Sequence, residues 1–128
     1  MKNLLDKIEK EIIGAPLPNE YRVFMEQGYY QKFEKKVIKV NMRGCRFHFT
    51  GFLRKTDDKN TDLYLMNKNS DIEDKYLIIA NLFTGNLLMA VKGAYKGEIF
   101  LLEDGEEEEC IPIAKNILSF IEQIAANL

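Results

Sequence analysis

The chain has 128 residues, 46% hydrophobic and 30% charged, with a formal net charge of -2. That composition fits one ordinary globular domain over residues 1–128. No apolar run approaches the roughly 18 residues of a membrane-spanning helix, and so small a net charge gives no global pull toward nucleic acid or a membrane surface.

The N-terminal stretch "MKNLLDKIEKEIIG" carries charges every few residues. It lacks the continuous apolar core of a secretory signal, so cytoplasmic residence is the expectation. Leu5, Ile8 and Ile12 fall at helical spacing and predict an amphipathic helix over about 2–13, closed by Gly14. A second short helix is predicted over about 18–27. Pro18 suits its first position, Glu20 favours the positive end of its dipole, and Tyr21, Phe24 and Met25 make its apolar face. Gly28 is its stop.

Strands are expected next. "KVIKVNM" and "CRFHFTGFL" alternate with period two and flank "MRG", which reads as a hairpin turn. Phe47 and Phe49 then point to the core, while Arg46 and His48 face water. "TDLYLMN" is predicted as a third strand. "YLIIAN" and "NLLMAVK" read as a hairpin buried on both faces, and "GEIFLLED" as a further strand. Gly85, Gly93 and Gly97 are expected to supply hairpin backbone angles. At the end, Ile117, Phe120, Ile121, Ile124 and Leu128 form a stripe at 3.6 spacing behind Asn116, a natural N-cap. The order predicts an α+β fold: a mostly antiparallel twisted sheet of about five to six strands, two N-terminal helices and one C-terminal helix.

Cys45 and Cys110, the two cysteines, have no C-x-x-C spacing, so neither a zinc site nor a redox pair is expected and both read as free thiols. Charge is unevenly spread. Residues 32–59 hold nine Lys or Arg against three acids, whereas residues 103–109 hold six acids and no base.

"LPNEYRVFMEQG" (17–28), "YLIIANLFTGNLLMAVKGAYKGEIFLLED" (76–104) and "IPIAKNILSFIEQI" (111–124) together resemble the SUKH superfamily, the Smi-one/Knr-four-like domains. Leu17, Pro18, Glu20 and Tyr21 match its helix start. Ile78, Ile79, Ala80 and Gly85 match its hairpin, and Gly97, Ile99, Phe100 and Asp104 its Gly-x-aliphatic-aromatic strand and acidic turn. Ile113, Ala114, Ile117 and Phe120 match its last helix. "EQGYYQ" and Lys115 depart from the pattern. The resemblance implies a non-enzymatic protein-binding domain. Its commonest bacterial role is immunity, the neutralisation of a polymorphic toxin that is often a nuclease. The alternative it implies is a regulatory scaffold of the cell-wall-synthesis-regulator type.

The acidic block has two readings. Glu103, Asp104, Glu106, Glu107, Glu108 and Glu109 are either a solvated hairpin loop tipped by Gly105 or a surface complementary to a basic toxin cleft. Carboxylates there can take the positions of phosphates, and opposed charge speeds encounter. Tyr29, Tyr30 and Tyr95 are the aromatic interface candidates, since tyrosine offers stiff contact area with a polar tip. The basic stretch with Phe47, Phe49 and Phe52 resembles a nucleic-acid patch only if those rings are exposed, and their alternation argues that they are not. His48 stands alone, without a partner for metal binding or acid–base work. No catalytic residue, metal or cofactor is expected.

Overall fold

The structure, a computed structural model, describes residues 1–104 and 110–126. Helix α1 (Lys2–Ile8) runs straight into a π-helical turn over Glu9–Ile13, and Gly14 stops it at φ 63°. Leu5, Ile8 and Ile13 are buried along it; Ile12, expected in that stripe, is only half-buried, because the wider π-helical turn carries Ile13 to the core in its place. Glu9, in the widened turn, holds the chain that follows: its Oε2 accepts from the Leu17 N–H at 2.7 Å. Its Oε1 accepts from Arg22 Nη1 at 2.8 Å. Arg22 also reaches Asp6 and Glu26, so one guanidinium ties α1 to helix α2 (Asn19–Glu26). Pro18 is the N-cap of α2, one position earlier than expected. Tyr21, Phe24 and Met25 are its buried face. A 3-10 turn follows over Tyr29–Phe33.

Strands β1 (Ile38–Met42) and β2 (Cys45–Phe49) form the predicted hairpin. Arg43 and Gly44 both have positive φ, 49° and 81°, as a two-residue turn matched to strand twist demands. Beyond β2 the chain runs alongside strand β3 (Tyr76–Leu82): Leu53 N–H donates to the Ile79 carbonyl at 2.8 Å. Thr50 Oγ1 donates to the Asn81 carbonyl at 3.1 Å. Strands β3, β4 (Gly85–Ala90), β5 (Ile99–Glu103) and β6 (Cys110–Ala114) then make an antiparallel sheet in that order. Helix α4 (Ile117–Ala125) closes the core. Asn116 Oδ1 accepts from the Ser119 N–H at 2.8 Å, and Ile117, Phe120 and Ile124 are buried. Leu128, expected in the same stripe, lies outside the described residues.

Phe47, Phe49 and Phe52 are buried. The rings of Phe24, Phe33, Phe49, Phe52 and Phe120 meet edge to face, with Phe49 and Phe52 centroids 4.9 Å apart and Phe49 and Phe120 5.4 Å apart. This cluster joins α2, the 3-10 turn, β2, its continuation and α4. Edge-to-face rings add about 0.5–1.5 kcal/mol per pair beyond the area they bury.

Two elements differ from expectation. The stretch read as a third strand is helix α3 (Leu63–Lys68), because Asp62 caps it: its Oδ2 accepts from the Leu65 N–H at 2.9 Å. The sixth strand is instead β6, in a segment where no strand was expected. Gly85 also differs in its reason. It lies inside β4, after the Phe83–Thr84 turn, and a Cβ on it would stand 2.1 Å from the Leu102 carbonyl oxygen of β5. Close approach, not turn geometry, requires glycine there; Gly93 and Gly97 do have the expected positive φ.

Gly85→Ala must push β4 off β5 and is expected to cost at least the roughly 1–3 kcal/mol of an overpacked core, read as a lower urea midpoint. Tyr21→Phe should behave oppositely. The Tyr21 hydroxyl is buried with no hydrogen-bond partner among the described residues, and burial raises its pKa. Its removal should leave stability unchanged or raise it by up to about 1 kcal/mol in the same assay.

Candidate protein-binding groove

Strand β3 is buried almost throughout: Leu77, Ile78, Ile79 and Ala80 are at most 1% exposed. Yet it is the first strand of its sheet, so its outer backbone groups need partners other than a strand. The register with β4 slips between Ile78 and Ala80. Leu53 satisfies the Ile79 carbonyl, and α3 supplies the rest. Asn67 Oδ1 accepts from the Ile78 N–H at 2.7 Å. Asn67 Nδ2 donates to the Ile78 carbonyl at 2.9 Å and to the Leu63 carbonyl at 2.8 Å. One side-chain amide thus replaces a neighbouring strand and pins α3 against β3. Asp62 secures the helix from its other end by accepting from the Thr56 N–H at 2.9 Å as well.

Helix α3 and the segment after it form one wall of a groove of about 510 Å³ over the sheet. Ile78, Leu88 and Leu102 make its floor, and Met66 and Ile72 its apolar wall. Tyr76 lies at one end, its ring edge-to-face with Phe100 at 5.5 Å. Partial burial, then the neighbouring Cys110, raise the Tyr76 pKa. Asn86 shares the floor, paired with Leu102 across β4 and β5. Its Oδ1 is shut from solvent and has no hydrogen-bond partner among the described residues. A buried acceptor left in that state costs about 1–3 kcal/mol.

The charged residues lining the groove are Asp71, Glu73 and Asp104 against Lys59. Glu73 is 3.2 Å from Lys75, and that hydrogen bond raises the Lys75 pKa. Asp71 and Asp104 make no ion pair with any described residue. Asp104 is placed by its own backbone, whose N–H donates to the Thr84 carbonyl at 2.8 Å.

Of the residues proposed from sequence, Asp104 lines the groove and Glu103 is exposed beside it at the end of β5. Glu106, Glu107, Glu108 and Glu109, with Gly105, lie outside the described residues. The tyrosines do not line this groove. Tyr95 is 66% exposed in the β4–β5 connection, at the opposite end of β5 from Asp104. Tyr29 is 47% exposed beyond α2, with Lys32 Nζ 5.2 Å from its ring centroid, and Tyr30 is half-buried against the core. Lys39, Arg46 and His48 share the exposed face of the β1–β2 hairpin, where His48 lies 5.9 Å from the exposed Phe83 ring. Asn86, Asp71 and Tyr76 were not singled out from sequence. A lone amide inside the apolar run "NLLMAV" was the available signal for Asn86. Among the described residues no three His, Cys, Asp or Glu side chains are placed to hold a metal ion, and no helix is long and apolar enough to cross a membrane.

The family model described as "SMI1 / KNR4 family (SUKH-1)" matches residues 2–123. Comparison with curated proteins and with solved structures gave no match.

Asn67→Leu is expected to lower stability by about 1–3 kcal/mol for each Ile78 backbone group left unpaired. Urea unfolding measures the loss, and hydrogen exchange should show the Ile78 amide losing protection before that of Leu88.

Proposed function

The chain belongs to the SMI1/KNR4 family (SUKH-1), and from that premise we propose that it acts by binding another protein, without chemistry, as an immunity protein that neutralises a toxin domain. The observation that carries this reading is the pair of carboxylates, Asp71 and Asp104, without an ion-pair partner among the described residues, on an apolar groove beside exposed Glu103. Such a surface suits a basic partner. A nuclease toxin must hold phosphates with Lys and Arg, and carboxylates can occupy those positions. The chain between Asp104 and Cys110 adds Glu106, Glu107, Glu108 and Glu109 to the same sequence segment. Tyr29, Tyr30 and Tyr95 extend the proposal to a wider contact surface, since exposed tyrosine is common in binding hot spots.

Neutralisation needs no group poised for bond making. Affinity would come from covering the groove, and speed from opposed charge. Electrostatic steering raises association rates by about tenfold to a thousandfold and fades as salt screens it.

Co-expression tests the role. The chain should restore growth against one toxin domain of a panel that includes the one encoded nearest its gene, and its deletion should be silent when no toxin is present. A growth defect on deletion without any toxin would favour a regulatory scaffold instead. Reversing Glu106–Glu109 to lysine should slow association with that toxin at least tenfold at low salt and flatten its salt dependence. Unchanged kinetics in surface plasmon resonance would remove this segment from the interface.

A further inference from the structure

We infer that strand β1 takes an added strand, an extended acidic segment of a partner protein hydrogen-bonded along its outer edge. This surface is distinct from the acidic groove, and the inference stands whether or not a toxin is neutralised. In a hairpin closed by the two-residue turn Arg43–Gly44, Met42 and Cys45 exchange hydrogen bonds, as do Val40 with Phe47 and Ile38 with Phe49. Lys39 and Asn41 alternate with them, so their N–H and C=O groups turn away from β2. None of those four groups has a hydrogen-bond partner among the described residues, and both residues are exposed.

The other strand edges are managed. Asn67 and Leu53 answer for β3. β6 carries Pro112, which has no N–H to offer an added strand. β2 leads into the segment that bonds to β3, and the Phe83 ring stands beside His48. β1 has no proline, no register slip and no side-chain amide along it. Its charge selects the kind of strand that fits. Residues 35–49 hold five Lys or Arg and no Asp or Glu. Lys36, Lys39, Arg43 and Arg46 are exposed and make no ion pair with any described residue. A lysine in an edge strand keeps unsuited strands away. Here it disfavours a second copy, which would set like cations alongside. Phosphates of a nucleic acid could meet the cations and the N–H groups, but not the two carbonyls, which need donors. A peptide strand supplies donors and acceptors together. Glutamates opposite Lys39 and Asn41 would share their exposed face, and apolar residues between the glutamates would extend the buried row of Ile38, Val40 and Met42.

The probe is the peptide acetyl-Thr-Val-Glu-Val-Glu-Val-Thr-amide, titrated into the isotope-labelled full chain. Amide shifts should concentrate at residues 37–43, and hydrogen exchange at Lys39 and Asn41 should slow. N-methylating the two glutamates, whose N–H groups face β1 in antiparallel register, should weaken binding at least tenfold. Replacing them with glutamine should weaken it severalfold at low salt. Asn41→Pro removes an outward N–H and spares the bonds to β2, so it should abolish binding while the remaining amide spectrum stays as in wild type. The N-methyl comparison decides the matter even if that variant fails to fold. Equal binding of the N-methylated peptide would overturn the inference in favour of a charged patch without strand addition. No binding, or shifts centred away from β1, would overturn it outright. So would a dodecamer of thymidylate that shifts the hairpin where the peptide does not, or a concentration-dependent dimer of the chain alone paired through β1.

Discussion

A strand that is buried on both faces and has no strand on one side must find other partners for its outer amides and carbonyls. β3 is such a strand, and much of the molecule is arranged around that need. The bulge at Ile79 turns one carbonyl toward Leu53, which draws the chain beyond β2 alongside the sheet. Asn67 answers for Ile78 with both ends of its amide. An unpaired backbone group in that position would cost more than a whole surface ion pair is worth. The placement of α3 follows from it, and so does the groove, because α3 and the chain after it are what stand above the sheet.

The parts of the fold legible in the sequence are those whose physics is local. The stripe of Ile117, Phe120 and Ile124 behind Asn116 contains its own period and its own cap. The alternation around Phe47 and Phe49 contains its own sidedness, and "MRG" its own turn. α3 was not legible because "TDLYLMN" offers two apolar patterns at once. Its Leu, Met and Lys favour a helix, and Asp62 is a cap, but leucines two apart also read as a strand. Gly85 looked like a turn glycine because the residue it must avoid, Leu102, is distant in sequence. The family resemblance rested largely on packing residues: Tyr21, Ile78, Ile99 and Phe120 are all buried. That explains why it carried the fold farther than the site.

The site itself depends on residues that no short motif joins. Asp71 comes from the chain after α3, Asn86 from the start of β4 and Asp104 from the end of β5. The carboxylate run stood out in the sequence, yet only Asp104 of it can be placed in the groove. The tyrosines stood out as well, and the structure distributes them over other parts of the surface. Chemistry that is conspicuous along the chain and chemistry that converges in space are different sets here, with Asp104 in both.

The amide of Asn67 has a consequence for how this molecule can change over time. It holds α3 through backbone atoms, which every sequence possesses, and asks nothing of the side chains at Lys59, Asp71 or Glu73. Those positions can drift through substitution without disturbing the aromatic cluster or the strand pairing. A lineage of such proteins could alter the surface around the groove while inheriting one unaltered framework.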